Sequence, residues 1–243
     1  DLCTDKSLDF IDRNRAKPFL CYIPFSTPHS PWAAPEKNWN NFKDTKLVQF
    51  ATDPALEDAD HTRCAHAMLE NQDGNVGRVL RKLDTLGLRE NTIVIYFSDN
   101  GPNSFRWTGG MKGRKGSVEE GGVRSPLFIR WPGKITRGAK VDAIAGAIDL
   151  SPTLHALAQI KRQGDQPLDG SSLAPLLLRG AQTDWPDRTL FQTWGNQVSA
   201  RTEKYRLDQA GNLFDMVTDP NQGYTAMFIP LGPTPICGRC LNR

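Results

Sequence analysis

The chain has 243 residues, 38% of them hydrophobic, which is enough for one large domain or a domain with a small appendage and too much for a disordered segment. The formal net charge is only +3, with acids and bases interspersed, so neither the basic stripe of a nucleic-acid binder nor the basic amphipathic helix of a membrane-surface protein is present. No apolar run reaches the ~20 residues that span a bilayer, and five cysteines in a chain of this size do not make a disulfide scaffold.

Residues 5–16 place Leu8, Ile11 and Ala16 on one side, with Phe10 alongside, the pattern of an amphipathic helix that ends before Pro18. The apolar run 19–25 predicts a strand in which Cys21 is a small buried hydrophobe. It empties into 27–35, where Pro28, Pro31 and Pro35 forbid ladder and helix alike, so His29 stands in a stiffened loop. From 54 to 86, Ala65, Met68, Val76, Val79 and Leu83 recur at helical spacings, and Gly87 closes a helix that covers a sheet face. His61 and His66 are five apart and share no face, which makes them ordinary helix residues rather than a metal pair.

The run 92–97 predicts a buried strand, and 126–131 and 141–148 predict further strands of a packed interior. Ser151 and Pro152 read as N-cap and first helical residue, with His155 a packing or surface residue of that helix, and 171–178 as a second short helix ended by Gly180. From about 188 the pattern is strand-like, at 190–194, 197–207 and 212–216, with a turn at 208–211. The lone Cys237-x-x-Cys240 lacks a second pair and a neighbouring His, so a disordered tail is a plainer reading of it than zinc or redox chemistry.

Chemistry concentrates between 97 and 124. The apolar strand stops at Asp99, Asn100 and Gly101, and in open α/β sheets ligands lie beyond the carboxyl ends of strands. A carboxylate beside an amide carbonyl suits a hard divalent cation, although Asp-Asn-Gly is also simply a good turn. About a dozen residues later Lys112, Arg114 and Lys115 lie in a glycine-spaced loop, an anion-type cluster that spacing alone does not resolve into one active cation. Glycines 109, 110, 113, 116, 121 and 122 would allow close backbone approach to an anion, but no Walker-type GxxxxGK[ST] is present. Together these residues imply an anionic substrate. His29 is either a turn residue bonded to backbone or a contributor to that site.

The order Ser98-Asp99-Asn100-Gly101, then Lys115-Gly116-Ser117-Val118-Glu119-Glu120-Gly121-Gly122-Val123-Arg124-Ser125-Pro126 and Trp131-Pro132-Gly133, resembles the type I, formylglycine-dependent sulfatases, arylsulfatase-like relatives of alkaline phosphatase. Thr27-Pro28-His29-Ser30-Pro31, Asp149-Leu150-Ser151-Pro152-Thr153 and Asn212-Leu213-Phe214-Asp215 agree in family order, so the likeness covers roughly 4–223. It implies an α/β, alkaline phosphatase-like sheet flanked by helices, incomplete here, with a small C-terminal antiparallel sheet. The expected divisions are 1–185 for part of the catalytic domain, 186–226 for that sheet and 227–243 for an unassigned tail.

By family position Asp99 and Asn100 are metal ligands for Ca²⁺, with Mg²⁺ as the alternative, while Lys115 and His29 are catalytic and bind the sulfate. The family's N-terminal Asp pair and its Cys-x-Pro-x-Arg or Ser-x-Pro-x-Arg signature, the source of formylglycine, do not occur in these residues. The chain is therefore expected to be a C-terminal part of a sulfatase, inactive and only marginally soluble by itself, acting on sulfate monoesters when complete. A phosphodiesterase or phosphonate hydrolase of the same superfamily, or a catalytically silent piece, are the alternatives. The resemblance also implies a periplasmic or secreted setting, a sulfate ester partner, no nucleic acid and no membrane segment; it leaves oligomeric state open.

Overall fold

The computed structural model describes residues 1–179, 185–223 and 227–228. Helices α1 (Leu2–Asn14), α2 (Glu36–Phe42) and α3 (Ala59–Thr85) form one layer in which α1 and α2 both pack on α3. Asp58 caps α3 by accepting from His61 N at 2.9 Å. At the other end Gly87 has φ +68°, Leu88 N donates to Leu83 O at 2.9 Å, and Gly87 N donates to Asp84 O at 3.1 Å, a Schellman termination that the glycine's conformational freedom allows. Asn38 and Asn41 on α2 both donate to the Glu70 carboxylate, at 2.6 and 3.0 Å, which docks a short helix that apolar periodicity does not reveal.

The run 19–25 is not a strand. Phe19, Cys21, Ile23 and Phe25 are half-buried and alternate with exposed Leu20, Tyr22 and Pro24, the period of extended chain, but the run has no ladder partner among the described residues. Cys21 is accordingly half-buried rather than buried. Strands β1 (Val94–Phe97) and β2 (Leu127–Arg130) pair antiparallel, Val94 opposite Arg130 and Phe97 opposite Leu127. The expectation of a buried strand and a packed interior fails here, because a two-stranded ladder cannot cover both its faces, and Phe128 is 65% exposed. A cleft of about 2220 Å³ opens among the 19–25 run, α3, β1 and residues 150–158, with Phe19, Ile23, Val79, Leu83, Ile95 and Leu154 in its walls.

The expected strand at 141–148 is also absent. Residues Ala147–Asp149 form a 3₁₀ turn that runs straight into α5 (Leu150–Ala158), so Ser151 and Pro152 lie inside the first turn instead of at the cap and first helical position. Asp149 explains the change: its fully buried carboxylate accepts from Gly146 N and Ser171 N, both at 2.8 Å, and from Arg188 Nη1 at 2.9 Å. Wrapping backbone donors around a buried charge outweighs local strand propensity. Helix α6 (Ala174–Arg179) packs on α5; its expected terminator Gly180 lies outside the described residues.

The C-terminal part is an antiparallel sheet in sequential order, β3 (Leu190–Trp194), β4 (Gln197–Arg201), β5 (Tyr205–Asp208), β6 (Asn212–Asp215) and β7 (Met227–Phe228). The predicted single strand 197–207 is a hairpin, closed where Thr202 N donates to Tyr205 O at 2.8 Å. The turn at 208–211 is held by Asp208 Oδ1, which accepts from Ala210 N and Asn212 N at 2.9 Å each. Residues 227 and 228, expected in an unassigned tail, pair with Leu213 and Asn212, while Cys237 and Cys240 lie outside the described residues. No helix among the described residues is long and apolar enough to cross a membrane.

One buried network joins this sheet to α4 (Glu120–Val123). Arg206 on β5 is 1% exposed and donates from Nη2 to Glu120 Oε2 at 2.7 Å and from Nη1 to Val118 O at 2.6 Å. Ser199 Oγ also donates to Val118 O at 2.8 Å, and Gln222 Oε1 accepts from Glu120 N at 3.0 Å. Losing Arg206 leaves the buried Glu120 with only the longer contacts to Arg201 at 3.4 Å and Arg124 at 3.6 Å and leaves Val118 O short of a donor, so Arg206→Leu is expected to cost about 3 kcal/mol or more in urea-induced unfolding. Arg206→Lys should recover only part of this, since an ammonium lacks the two-pronged donor. A loss below about 1 kcal/mol in the Leu variant would show that the sheet is held by other contacts.

Candidate active site

Past β1 the chain bends through Ser98, Asp99 and Asn100, and Ser125 Oγ holds the bend by donating to Ser98 O at 2.6 Å. Asp99 Oδ1 accepts from Asn100 N at 3.0 Å, and Asn100 Nδ2 donates to Gly101 O at 2.8 Å. These local bonds are what make Asp and Asn favourable in turns. They leave Asp99 Oδ2 and Asn100 Oδ1 without a donor among the described residues, a carboxylate oxygen next to an amide carbonyl.

Glycines bring the second half of the site onto this turn. Gly101 N donates to Gly122 O at 2.9 Å, and a Cβ at Gly101 would lie 1.9 Å from Gly121 O. A Cβ at Gly121 would in turn meet the carbonyl oxygens of Met111, Lys112 and Gly113 at 2.6 to 2.8 Å. The expected use of the loop glycines therefore needs correction at 121: its missing side chain makes room for the chain's own backbone, and the loop is welded to the turn.

Lys115 N donates to Pro102 O at 2.8 Å, which places the lysine against the turn that carries Asp99 and Asn100. Its ammonium Nζ is 3.2 Å from His29 Nε2, and His29 Nδ1 is 2.7 Å from Ser30 O. A carbonyl only accepts and an ammonium only donates, so these contacts require the proton on Nδ1 and a lone pair on Nε2 facing Lys115. The other two cations of the loop are engaged elsewhere. Lys112 pairs with Glu119 at 3.0 Å and lies over the Phe214 ring, and Arg114 stacks on Phe105 with 4.5 Å between guanidinium carbon and ring centroid. His29, Asp99, Asn100 and Lys115 all line the large cleft.

Three further residues at this cleft carry no motif. Asn103 Nδ2 donates to Ser30 Oγ at 3.3 Å, and the Arg106 guanidinium lies 4.5 Å over the Trp32 ring. Only the spacing of Trp32 three residues after His29 could have drawn attention to them. His61 sits 5.7 Å from Trp32 and contacts Asp58, and His66 packs on Phe42, so neither joins a metal pair.

A hard divalent cation favours oxygen donors, and these two oxygens at 99 and 100 fit such an ion as part of a ligand set. No group of three or more His, Cys, Asp or Glu side chains assembles among the described residues.

Residues 1–160 match the model of the sulfatase family. The chain belongs to that family. A second sulfatase match, to the C-terminal region of N-sulphoglucosamine sulphohydrolase, covers residues 114–224. Among sulfatases, mouse steryl-sulfatase is 34% identical over 188 residues, 73% of this chain and 27% of that protein. Mouse N-acetylgalactosamine-6-sulfatase is 32% identical over 209 residues, 83% of this chain and 36% of that protein. The chain thus spans about a third of the length of these relatives. Its fold matches solved structures of Ps i-CgsB, with a TM-score of 0.76 at 24% identity over 93% of this chain and 50% of that one. It also matches BT4656 in complex with D-glucosamine-2-N,6-O-disulfate, with a TM-score of 0.75 at 20% identity over 91% of this chain and 63% of that one. These likenesses bear out the mixed, incomplete alkaline phosphatase-like fold with a small antiparallel sheet.

The sulfatase loop depends on the Gly101 contact. Gly101→Ala should lower the unfolding midpoint and displace the 111–123 backbone, seen as altered amide shifts from Met111 to Val123. Gly74→Ala, inside α3 with nothing within 4 Å of the added Cβ, should instead stabilise by roughly 0.5–1 kcal/mol. Equal effects of the two substitutions would refute the weld.

Proposed function

We propose that the chain forms the metal- and sulfate-binding part of an enzyme that hydrolyses sulfate monoesters. The observation that carries this reading is the 3.2 Å approach of Lys115 Nζ to His29 Nε2 in the cleft that also receives these two oxygens of Asp99 and Asn100. Asp99 and Asn100 would hold Ca²⁺, or Mg²⁺ in its place, and a bound cation supplies charge neutralisation for sulfate oxygens. Such an ion takes six to eight oxygens as Ca²⁺, so the remaining ligands come from elsewhere, including the substrate.

The chain's own residues divide the other tasks. Lys115, held by Pro102 O and without a carboxylate partner among the described residues, presents a fixed ammonium to a sulfate oxygen and to the leaving oxygen, where negative charge grows during S–O cleavage. Ser30 O accepts from His29 Nδ1 and so fixes the ring with Nε2 toward Lys115 Nζ, where the imidazole holds that ammonium beside the sulfate. The nucleophile, a formylglycine in the family, has no counterpart in these residues. We further assign 1–185 to the catalytic domain and 186–226, extended by the β7 pairing of 227 and 228, to the sheet that braces it, in a periplasmic or secreted protein.

In the full-length protein, Asp99→Ala is expected to remove Ca²⁺ binding in calorimetric titration together with turnover of an aryl sulfate; unchanged metal content with full activity would refute the assignment. Lys115→Ala should lower turnover by roughly 10² to 10³, the loss typical of one preorganised donor to developing charge, while Lys112→Ala, whose ammonium already pairs with Glu119, should change it little. Equal losses would place the wrong lysine in the role. The 243 residues alone should neither turn over an aryl sulfate nor bind Ca²⁺ tightly, and turnover that chelation abolishes would overturn that expectation.

A further inference from the structure

Arg106 is a half-buried cation that makes no ion pair among the described residues. Its Nε and Nη2 both donate to one neutral acceptor, Ser104 Oγ, at 3.1 and 2.7 Å, and no carboxylate pairs with it among the described residues. The acid in its electrostatic surroundings, Glu57, accepts from Ala51 N and Thr62 Oγ1, each at 2.7 Å, and makes no direct ion pair with Arg106 among the described residues. Cys64 and His66 are its other titratable neighbours, and burial lowers its affinity for the proton, an effect that the Glu57 charge offsets in part.

The guanidinium is nevertheless held in one place. It lies 4.5 Å over Trp32, whose ring is backed by His61, and Asn103 ties the Arg106 loop to the loop of His29 through Ser30 Oγ. Arg106, Trp32 and Trp107 line the same cleft as His29 and Lys115, and Trp107 is half-exposed there. A cation taken from water is favourable only with a charged, hydrogen-bonding partner. A planar guanidinium with unused N–H groups matches a carboxylate or a sulfate by two parallel bonds. An exposed indole offers a flat apolar face to the C–H side of a sugar ring.

We propose that Arg106, braced on Trp32 and flanked by Trp107, is a specificity subsite that receives a second anionic group on a sugar whose sulfate ester occupies the Lys115–His29 site. The substrate class is then a polyanionic sugar, bearing either a second sulfate or a uronate carboxylate. This rests on the proposed sulfate-binding role of Lys115 and His29.

The test is calorimetric titration of the full-length protein, with its nucleophile substituted so that nothing turns over, against methyl sulfate, glucose monosulfate, glucose disulfate and a sulfated glucuronic acid. With Arg106 intact, this protein should bind the disulfate or the sulfated uronate about tenfold or more tightly than the monosulfate, the scale of one hydrogen-bonded ion pair, and the stronger of the two identifies the second group. Arg106→Ala should erase that ratio and leave methyl sulfate affinity unchanged, and Arg106→Lys should restore only part of it. Where the Ala variant does not fold, Arg106→Lys decides alone: retention of the full ratio would overturn the subsite. So would equal affinities for monosulfate and dianionic sugars with Arg106 intact, or equal loss of methyl sulfate and disulfate binding in the Ala variant. Methyl sulfate binding that Lys115→Ala leaves intact would overturn the sulfate site, while the response of the dianion ratio to Arg106 would still decide the subsite.

Discussion

The Arg206–Glu120 pair is the contact on which the arrangement of the site depends. It lies between a strand of the C-terminal sheet and the four-residue helix that ends the glycine loop, and neither partner reaches water to any useful extent. A charge pair so deeply placed is a weak source of net stability but a strong source of position, because any arrangement that separates the two strands the Arg206 guanidinium, while Glu120 keeps only the longer contacts to Arg201 at 3.4 Å and Arg124 at 3.6 Å. Once Glu120 is placed, Gly121 and Gly122 follow, and through Gly101 N and Lys115 N the loop is registered against the Asp99 turn. A small antiparallel sheet far away in sequence thus determines where Lys115 points.

The site combines elements of different rigidity. The turn at 99 and 100 is held by bonds within itself, whereas the His29 loop is held by its prolines, by the side-chain bond from Asn103 to Ser30 and by the stacking of Arg106 on Trp32. Lys115 is the link between the two, with its backbone on the turn and its ammonium on the imidazole. An anion entering there would exchange the Lys115–His29 contact for contacts to itself, so the cost of separating the two side chains is offset by a stronger charge-assisted bond. Electrostatics in the cleft are favourable to such a ligand, since Lys115 and Arg106 both face it without carboxylate partners among the described residues.

Local chemistry made part of this readable in the chain. Asp-Asn-Gly after an apolar run marks a turn beyond a strand whatever the surroundings, Gly87 marks a helix end because only glycine adopts positive φ freely, and the prolines of 27–35 exclude regular structure by their own geometry. The order of motifs from Ser98 to Pro126 carried the family resemblance, and the matching of residues 1–160 to the sulfatase family agrees with it. Singling out Lys115 among three nearby cations also relied on that order, as spacing alone left Lys112 and Arg114 in contention.

What only the tertiary structure decided is what depends on partners distant in sequence. Residues 19–25 have the composition and alternation of a strand yet form none, because a strand exists only with a neighbour to share its ladder. Residues 147–149 turn instead of extending because a carboxylate at 149 gathers donors from 146, 171 and 188. The pairing of Lys112 with Glu119, the stacking of Arg106 on Trp32 and the anchoring of Glu120 by Arg206 have no sequence signature, since each joins residues whose spacing carries no periodic meaning. The sequence by itself determined the local geometry of the turns and caps and the types of reactive group. Long-range packing decided which of those groups face one another, because contact between distant residues is a property of the folded chain and not of any segment within it.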